Sequence, residues 1–185
     1  INGTNSGASA MVGQVDGAAE FDGSSDYVDL GNPAALQFTG NMTIEAWINF
    51  TGTPANNVYP AITTKLEATL KKGWAMWREA PNAPGGRASH MAFGIGDGGT
   101  FWLTNSGASA TVPVDTWAHI TGTYTANVVR LYVNGTSVGS QGTGGPPKDS
   151  AGIATVGRDI AVGDFESWEG GIDELRFSNI ARSAG

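Results

Sequence analysis

The sequence predicts an all-β protein, a two-sheet antiparallel sandwich, on three observations. Short runs alternating apolar and polar residues recur along the chain, separated by turn residues, which is the period of half-buried strands. Glycine occurs 28 times and proline 8 times in 185 residues, with frequent Thr and Val, a composition of many turns and few helices. Asn134-Gly135 sits between two such runs, and a two-residue hairpin turn that needs positive φ at both positions favours Asn-Gly. At this length one large sandwich fits better than two domains.

About a dozen strands follow in order. The clearest are 18–21, 27–30, 42–50, 61–65 and 74–79, then 90–95, 101–104, 118–125, 128–133, 136–141, 154–156 and 171–178. Only Pro33 to Leu36 and Glu67 to Lys72 have the character of a helical turn, and both are short. Loops at 52–58, 81–89 and 142–152 carry most of the Pro, Gly and Asn, which makes them the tolerant or functional segments. Thr4-Asn-Ser-Gly-Ala-Ser-Ala is restated as Thr104-Asn-Ser-Gly-Ala-Ser-Ala. The match stops there, so it reads as coincidence in loop composition rather than as a duplicated unit.

Charge and cysteine content exclude several functions. Ten basic against 17 acidic residues leave a net charge of -7, with no basic stripe to displace counterions from a nucleic acid. An acidic chain does leave room for a cation. No window of the sequence reads as a membrane span or as a signal peptide. Zero cysteines exclude disulfides and thiolate chemistry, so a secreted version must rest on its core and on any bound metal. Two histidines, His90 and His119, do not make a zinc site without cysteine. His119 suits a structural hydrogen bond, and His90 an exposed place near loop 81–89.

Two aspartates stand where strand propensity disfavours them, in Phe21-Asp22-Gly23 and in Ile172-Asp-Glu-Leu-Arg-Phe177. Something must compensate their desolvation, and a bound cation is one such group. With Trp117-Ala-His-Ile-Thr-Gly-Thr-Tyr124 and the hairpin Val129-Arg-Leu-Tyr-Val-Asn-Gly135, these segments resemble the laminin G-like, concanavalin A-like lectin/glucanase jelly-roll family. The resemblance runs from about residue 17 to residue 183. It implies a single jelly-roll module over residues 1–185, excised from a larger secreted or cell-surface protein, and Ile180 to Gly185 resembles the close of such a module.

The resemblance also implies a structural calcium ion held by Asp22 and Asp173, with carbonyls from Gly40 and Asn41. Calcium takes six to eight hard oxygens, and Asp22-Gly-Ser-Ser-Asp26 lacks the spacing of a self-sufficient calcium loop. The bland alternative is that Asp22 caps the turn before Tyr27 and Asp173 pairs with Arg176 or Arg158.

Sugar sites offer an apolar ring to a pyranose face and polar groups to its hydroxyls. Of six tryptophans, Trp47, Trp74 and Trp117 read as core. Trp77 beside Arg78, on the opposite strand face from Trp74, is a ligand candidate. So are Trp102 after the glycine-rich loop 94–99, with acceptors such as Asp97 or Asn105, and Trp168 in the segment 164–170.

Catalysis finds little support. No Gly-x-Ser-x-Gly elbow or phosphate-cradling loop occurs, and the Glu-x-Asp-x-x-Glu strand of jelly-roll glucanases is missing; Asp164-Phe-Glu166-Ser-Trp-Glu169 and Asp173-Glu174 are its nearest approaches, and Glu45 is a lone acid without a partner at that spacing. Asn2, Asn41, Asn49 and Asn134 open glycosylation sequons that strand and turn composition explains equally well. The resulting expectation is a noncatalytic, monomeric carbohydrate-binding module of an extracellular protein, with polysaccharide or glycan as partner and no membrane insertion. The alternatives are a protein-binding adhesion or spacer module and, behind it, a glycoside hydrolase.

Overall fold

The computed structural model describes residues 2–107, 110–160 and 166–183. Its strands are β1 (Thr4–Ser6), β2 (Ser9–Val12), β3 (Gly17–Asp22), β4 (Tyr27–Gly31), β5 (Met42–Phe50), β6 (Ala61–Glu67), β7 (Lys72–Arg78) and β8 (Met91–Asp97). They continue as β9 (Phe101–Leu103), β10 (Asn105–Ser106), β11 (Ala118–Thr125), β12 (Val128–Val133), β13 (Thr136–Gly142), β14 (Ala154–Val156) and β15 (Glu169–Ser178). Among the described residues these form a seven-stranded front sheet, β1-β4-β14-β6-β7-β8-β9, and an eight-stranded back sheet, β10-β13-β12-β11-β5-β15-β3-β2. All strand pairs are antiparallel, and the sequence expectation of an all-β jelly-roll sandwich holds.

Side-chain alternation puts one face of each sheet into a shared core. In β5, Met42, Ile44, Ala46, Ile48 and Phe50 are buried while Glu45, Trp47 and Asn49 are half-buried on the other face. The front sheet answers with Ile62, Trp74, Met76, Phe93 and Ile95. Each such side chain contributes about 1.5–3 kcal/mol when withdrawn from water, so a chain without disulfides has a core large enough to stand on. The Asn134–Gly135 turn joins β12 to β13 with φ of 48° and 76°, the geometry its sequence dictates.

Four sequence expectations are corrected. Glu67 to Lys72 is no helical turn: β6 runs to Glu67, a tight turn closed by Leu70 N–H to Glu67 O (3.1 Å) follows, and β7 starts at Lys72. Pro33 to Leu36 does hold a 3-10 turn, Ala34–Leu36. Strands β1, β2 and β10 were not anticipated, because they are short, polar edge pieces whose pairing partner decides them. The repeated Thr-Asn-Ser motif supplies two of them, β1 at the edge of the front sheet and β10 at the edge of the back sheet. Trp47 and Trp117 are half-buried rather than core, since parity places Trp47 on the outer face of the back sheet, and the Trp117 ring lies over Gly171 on β15. His90 is buried, not exposed, because its backbone closes the loop back onto Glu79 and Arg87. No helix among the described residues is long and apolar enough to cross a membrane.

Loop 142–152 is pinned from below. Lys65, fully buried, reaches Asp149 Oδ1 at 2.9 Å and also donates to the Ser150 carbonyl, which compensates the desolvation of its ammonium group.

Candidate functional site

Strand β8 reads Met-Ala-Phe-Gly-Ile-Gly, and its large residues all point inward. Met91, Phe93 and Ile95 enter the core, which leaves Ala92 and Gly94 on the outer face. Across the register, Gly94 faces Ala75, Ala75 faces Thr64, and Trp77 faces both Ala61 and Ala92. Ala61, Thr64 and Ala75 of this patch line the floor of a groove of about 380 Å³ on the front sheet. Trp77 and Phe101 form its aromatic wall, with ring centroids 6.0 Å apart and planes inclined at 39°.

Charged groups gather at one end of the groove, where Glu79, Arg87, Asp159 and Glu166 line it. Glu79 follows directly on β7 and is 2 % exposed; its backbone N–H donates to His90 O at 2.8 Å, which fixes loop 79–90 over the groove. Arg87 Nε lies 3.7 Å from Glu79 Oε1, an ion pair beyond hydrogen-bond reach. Burial pushes the Glu79 carboxyl above its ordinary range, against the opposing pull of Arg87 and the neighbouring Trp77 indole. Glu166 is held by its own carbonyl, which accepts from Ala61 N–H at 3.1 Å and Asp159 N–H at 3.3 Å. Desolvation, aided by the charge of Asp159, pushes its carboxyl up to about 7.

Three buried polar atoms at this end find no hydrogen-bond partner within the protein: Trp77 Nε1, Glu79 Oε1 and Arg87 Nε. The indole and the carboxylate are neighbours that do not meet in hydrogen-bonding geometry. A buried polar atom left without a hydrogen bond costs about 1–3 kcal/mol, a cost that the Glu79–Arg87 ion pair offsets in part for two of the three.

Of the four residues expected to bind ligand, only Trp77 reaches the groove. Arg78, next in β7, points the opposite way: its guanidinium stacks 5.0 Å from the Phe50 ring and donates to Val112 O at 2.8 Å. Trp102 also turns from the groove and packs against the core, its indole donating to Asp97 Oδ2 at 2.5 Å. That bond leads the interactions that hold the Asp97 carboxyl below its ordinary range. The parity of β9 presents Phe101 and Leu103 to the groove instead. Trp168 is completely buried and meets Phe50 edge-on at 4.8 Å. The Asn105 side chain and Asp164 lie outside what is described.

The four expected calcium ligands do not converge on one site. Asp22 pairs with Glu169, whereas Asp173 is four residues further along β15, about 13 Å away. Asp22 Oδ1 accepts from the N–H groups of Ser24, Ser25 and Asp26 at 2.8, 2.9 and 3.1 Å, the turn-capping alternative. These contacts hold its carboxyl below the ordinary range even though desolvation opposes them. Asp173 is buried and accepts from Val15 N–H at 2.8 Å. Gly40 and Asn41 precede β5 at the end where Thr43 faces Ser178, about 20 Å along the sheet from Asp173. Among the described residues no three His, Asp or Glu side chains are placed to share a metal ion.

Glu79, Arg87, Phe101 and Glu166 were missed as site residues. Their signal was indirect: in Met-Ala-Phe-Gly-Ile-Gly the outward positions are stripped of bulk, and a strand that is large inward and small outward marks a concave floor. The charged rim comes from loops, whose reach over a sheet is not encoded by local periodicity.

Residues 22–185 match the family described as the concanavalin A-like lectin/glucanases superfamily. No curated protein matches the chain. Among solved structures, domain 4 of AbnA, an extracellular GH43 arabinanase from Geobacillus stearothermophilus in complex with arabinotriose, superposes with a TM-score of 0.68 at 17 % identity over 97 % of this chain and 78 % of that one. The binding domain of Paraclostridial Mosquitocidal Protein 1 gives 0.71 at 13 % identity over 98 % of this chain. The binding domain of botulinum neurotoxin DC in complex with SialylT gives 0.67 at 10 % identity over 99 %. The chain spans 44 % of each toxin domain. At these identities the likeness is one of fold.

Proposed function

The chain belongs to the concanavalin A-like lectin/glucanases superfamily, and from that premise we propose that it is a noncatalytic carbohydrate-binding module acting outside the cell. The observation that carries this reading is the front-sheet groove, where the aromatic wall of Trp77 and Phe101 stands beside the charged end formed by Glu79, Arg87, Asp159 and Glu166. Ring faces receive the C–H face of a sugar, while the charged side chains that line the groove's end supply donors and acceptors for its hydroxyls. Two of the similar structures are complexes, with arabinotriose and with SialylT, which supports a glycan as the ligand class.

The test is titration of the domain with arabinotriose, xylotriose, cellotriose and laminaritriose, read by tryptophan fluorescence and calorimetry. Binding is expected for at least one, weakened about tenfold or more in Trp77→Ala, a loss of about 1.4 kcal/mol or more. Absence of binding to all four returns the module to the spacer or protein-adhesion role.

A hydrolase reading draws on one observation, that Glu79 and Glu166 line the same groove, as paired carboxyls do in glycoside hydrolysis. Product analysis after prolonged incubation separates the two readings. Shortened oligosaccharides that vanish in Glu79→Gln or Glu166→Gln would overturn the noncatalytic assignment.

A further inference from the structure

The outer face of the back sheet carries a second constellation that the front groove does not use. On adjacent central strands Trp47 faces His119, and in the next outward row Tyr132 faces Thr121, Thr121 faces Glu45, and Glu45 faces Arg176. The Trp47 and His119 rings lie 5.3 Å apart at 58°. Trp47, His119, Thr121 and Tyr132 are all half-buried in a hollow of about 930 Å³. Its walls are the Asn134–Gly135 turn and the segment Ile180–Ser183. That segment is tied down by Thr43, whose hydroxyl donates to Ile180 O at 2.7 Å and accepts from Arg182 N–H at 2.9 Å.

Two backbone irregularities aim side chains into this region. Pairing of β15 with β5 shifts register between Asp173 and Arg176, with Glu174 at φ +49°, and pairing of β12 with β13 shifts between Leu131 and Tyr132. A bulge re-aims side chains at the expense of ladder bonds, and positive φ is uncommon for a glutamate. Both displaced residues border the hollow: Tyr132 lines it, and Glu174 lines the adjoining cleft with Trp47 and His119.

The charges here are compensated. Arg176 pairs with Glu174, and Arg182 Nε lies 3.9 Å from Glu45 Oε1. Burial lowers the pKa of His119, with the charge of Glu45 opposing and that of Arg176 adding to the fall, which favours the neutral ring. Paired charges offer nothing to a phosphate or a polyanion. They present donors and acceptors at fixed positions, which together with Trp47 and Tyr132, whose backbone positions lie about 12 Å apart across the sheet, fit a chain of hydroxyl-bearing rings.

We propose that Trp47, His119 and Tyr132, with Glu45, Arg176 and Arg182 around them, form a second binding surface for a neutral oligosaccharide, on the opposite face of the sandwich from Trp77. A module with both surfaces holds two glycan strands at once and bridges them.

The experiment follows backbone amide shifts by NMR during titration with arabinotriose, xylotriose, cellotriose and laminaritriose in the parent, Trp77→Ala and Trp47→Ala. Expected are saturable shifts at His119, Thr121 and Tyr132 that persist in Trp77→Ala and weaken about tenfold or more in Trp47→Ala. Trp47→Phe keeps a ring and should retain most of the affinity, which separates loss of the site from loss of the fold. Shifts confined to the surroundings of Trp77 and Phe101 overturn this proposal and leave the front groove standing. Shifts nowhere overturn both. Sedimentation that shows a dimer of the parent, broken by Trp47→Ala, assigns the surface to a second copy of the chain and overturns the proposal.

Discussion

The Phe101 ring lies directly over Gly94. A Cβ built on Gly94 would stand 2.5 Å from Phe101 Cε1 and 2.9 Å from the Trp102 carbonyl oxygen. Glycine at this point of β8 is therefore what lets an aromatic side chain from β9 lie flat across the sheet toward Trp77. Gly94→Ala must displace either that ring or the backbone of β9. Such overpacking costs about 1–3 kcal/mol. Affinity for saccharide should also fall about tenfold, because the aromatic wall is broken while Trp77 itself is intact. Thermal melting and calorimetry on the variant check both, and unchanged affinity would remove Phe101 from the site.

Trp168 separates packing from binding. It is fully buried against Phe50 and does not line the front groove, so Trp168→Ala should cost about 3–5 kcal/mol of stability through the cavity it leaves. At a temperature where the variant is folded, its saccharide affinity should equal that of the parent. A large loss of affinity with little loss of stability would restore Trp168 to the ligand contacts that the sequence suggested.

The framework was legible in the sequence because strand periodicity and Asn-Gly chemistry are local. Met42 to Phe50 and Val128 to Val133 were bounded correctly for that reason. The edge strands Thr4–Ser6 and Asn105–Ser106 were not, since two or three polar residues become a strand only through their partner. Aromatics were harder still. Parity correctly separated Trp77 from Trp74, and within β5 it sets Trp47 apart from Ala46 and Ile48, but no strand period reaches Trp168, which lies just before β15 and is buried by its contact with Phe50. Glu79, Arg87 and Glu166 meet only because loop 79–90 and Ala61's bond to Glu166 fold two distant segments over one sheet.

Calcium binding provides a check on how far family likeness carries. One ion needs its carboxylate oxygens within about 2.3–2.6 Å, and Asp22 and Asp173 stand four strand positions apart. Both carboxylates already accept backbone N–H groups. The melting temperature is therefore expected to be the same in millimolar calcium and in chelator. A rise in calcium, which mass action requires of any ion that binds only the folded state, would demand a site built on other oxygens; Asp22→Asn and Asp173→Asn would show whether either carboxylate belongs to it.

Glu166 gives the fold a pH dependence whose sign is fixed by its environment. In the unfolded chain its carboxyl ionises near the ordinary 4.5, whereas in the groove, through desolvation and the charge of Asp159, it keeps its proton to about 7. Between those values unfolding releases a proton, so stability from this group falls as pH rises from 4.5 to 7 and levels off above. Glu166→Gln removes the ionisation while keeping the shape. The variant should match the parent near pH 4.5 and exceed it above pH 7 by about 2 kcal/mol, less than the full shift implies because the group is partly exposed. Paired denaturant titrations at the two pH values measure the difference, in which all other titrations cancel. A gain that is the same at both would mean that Glu166 ionises in the folded protein as freely as in water.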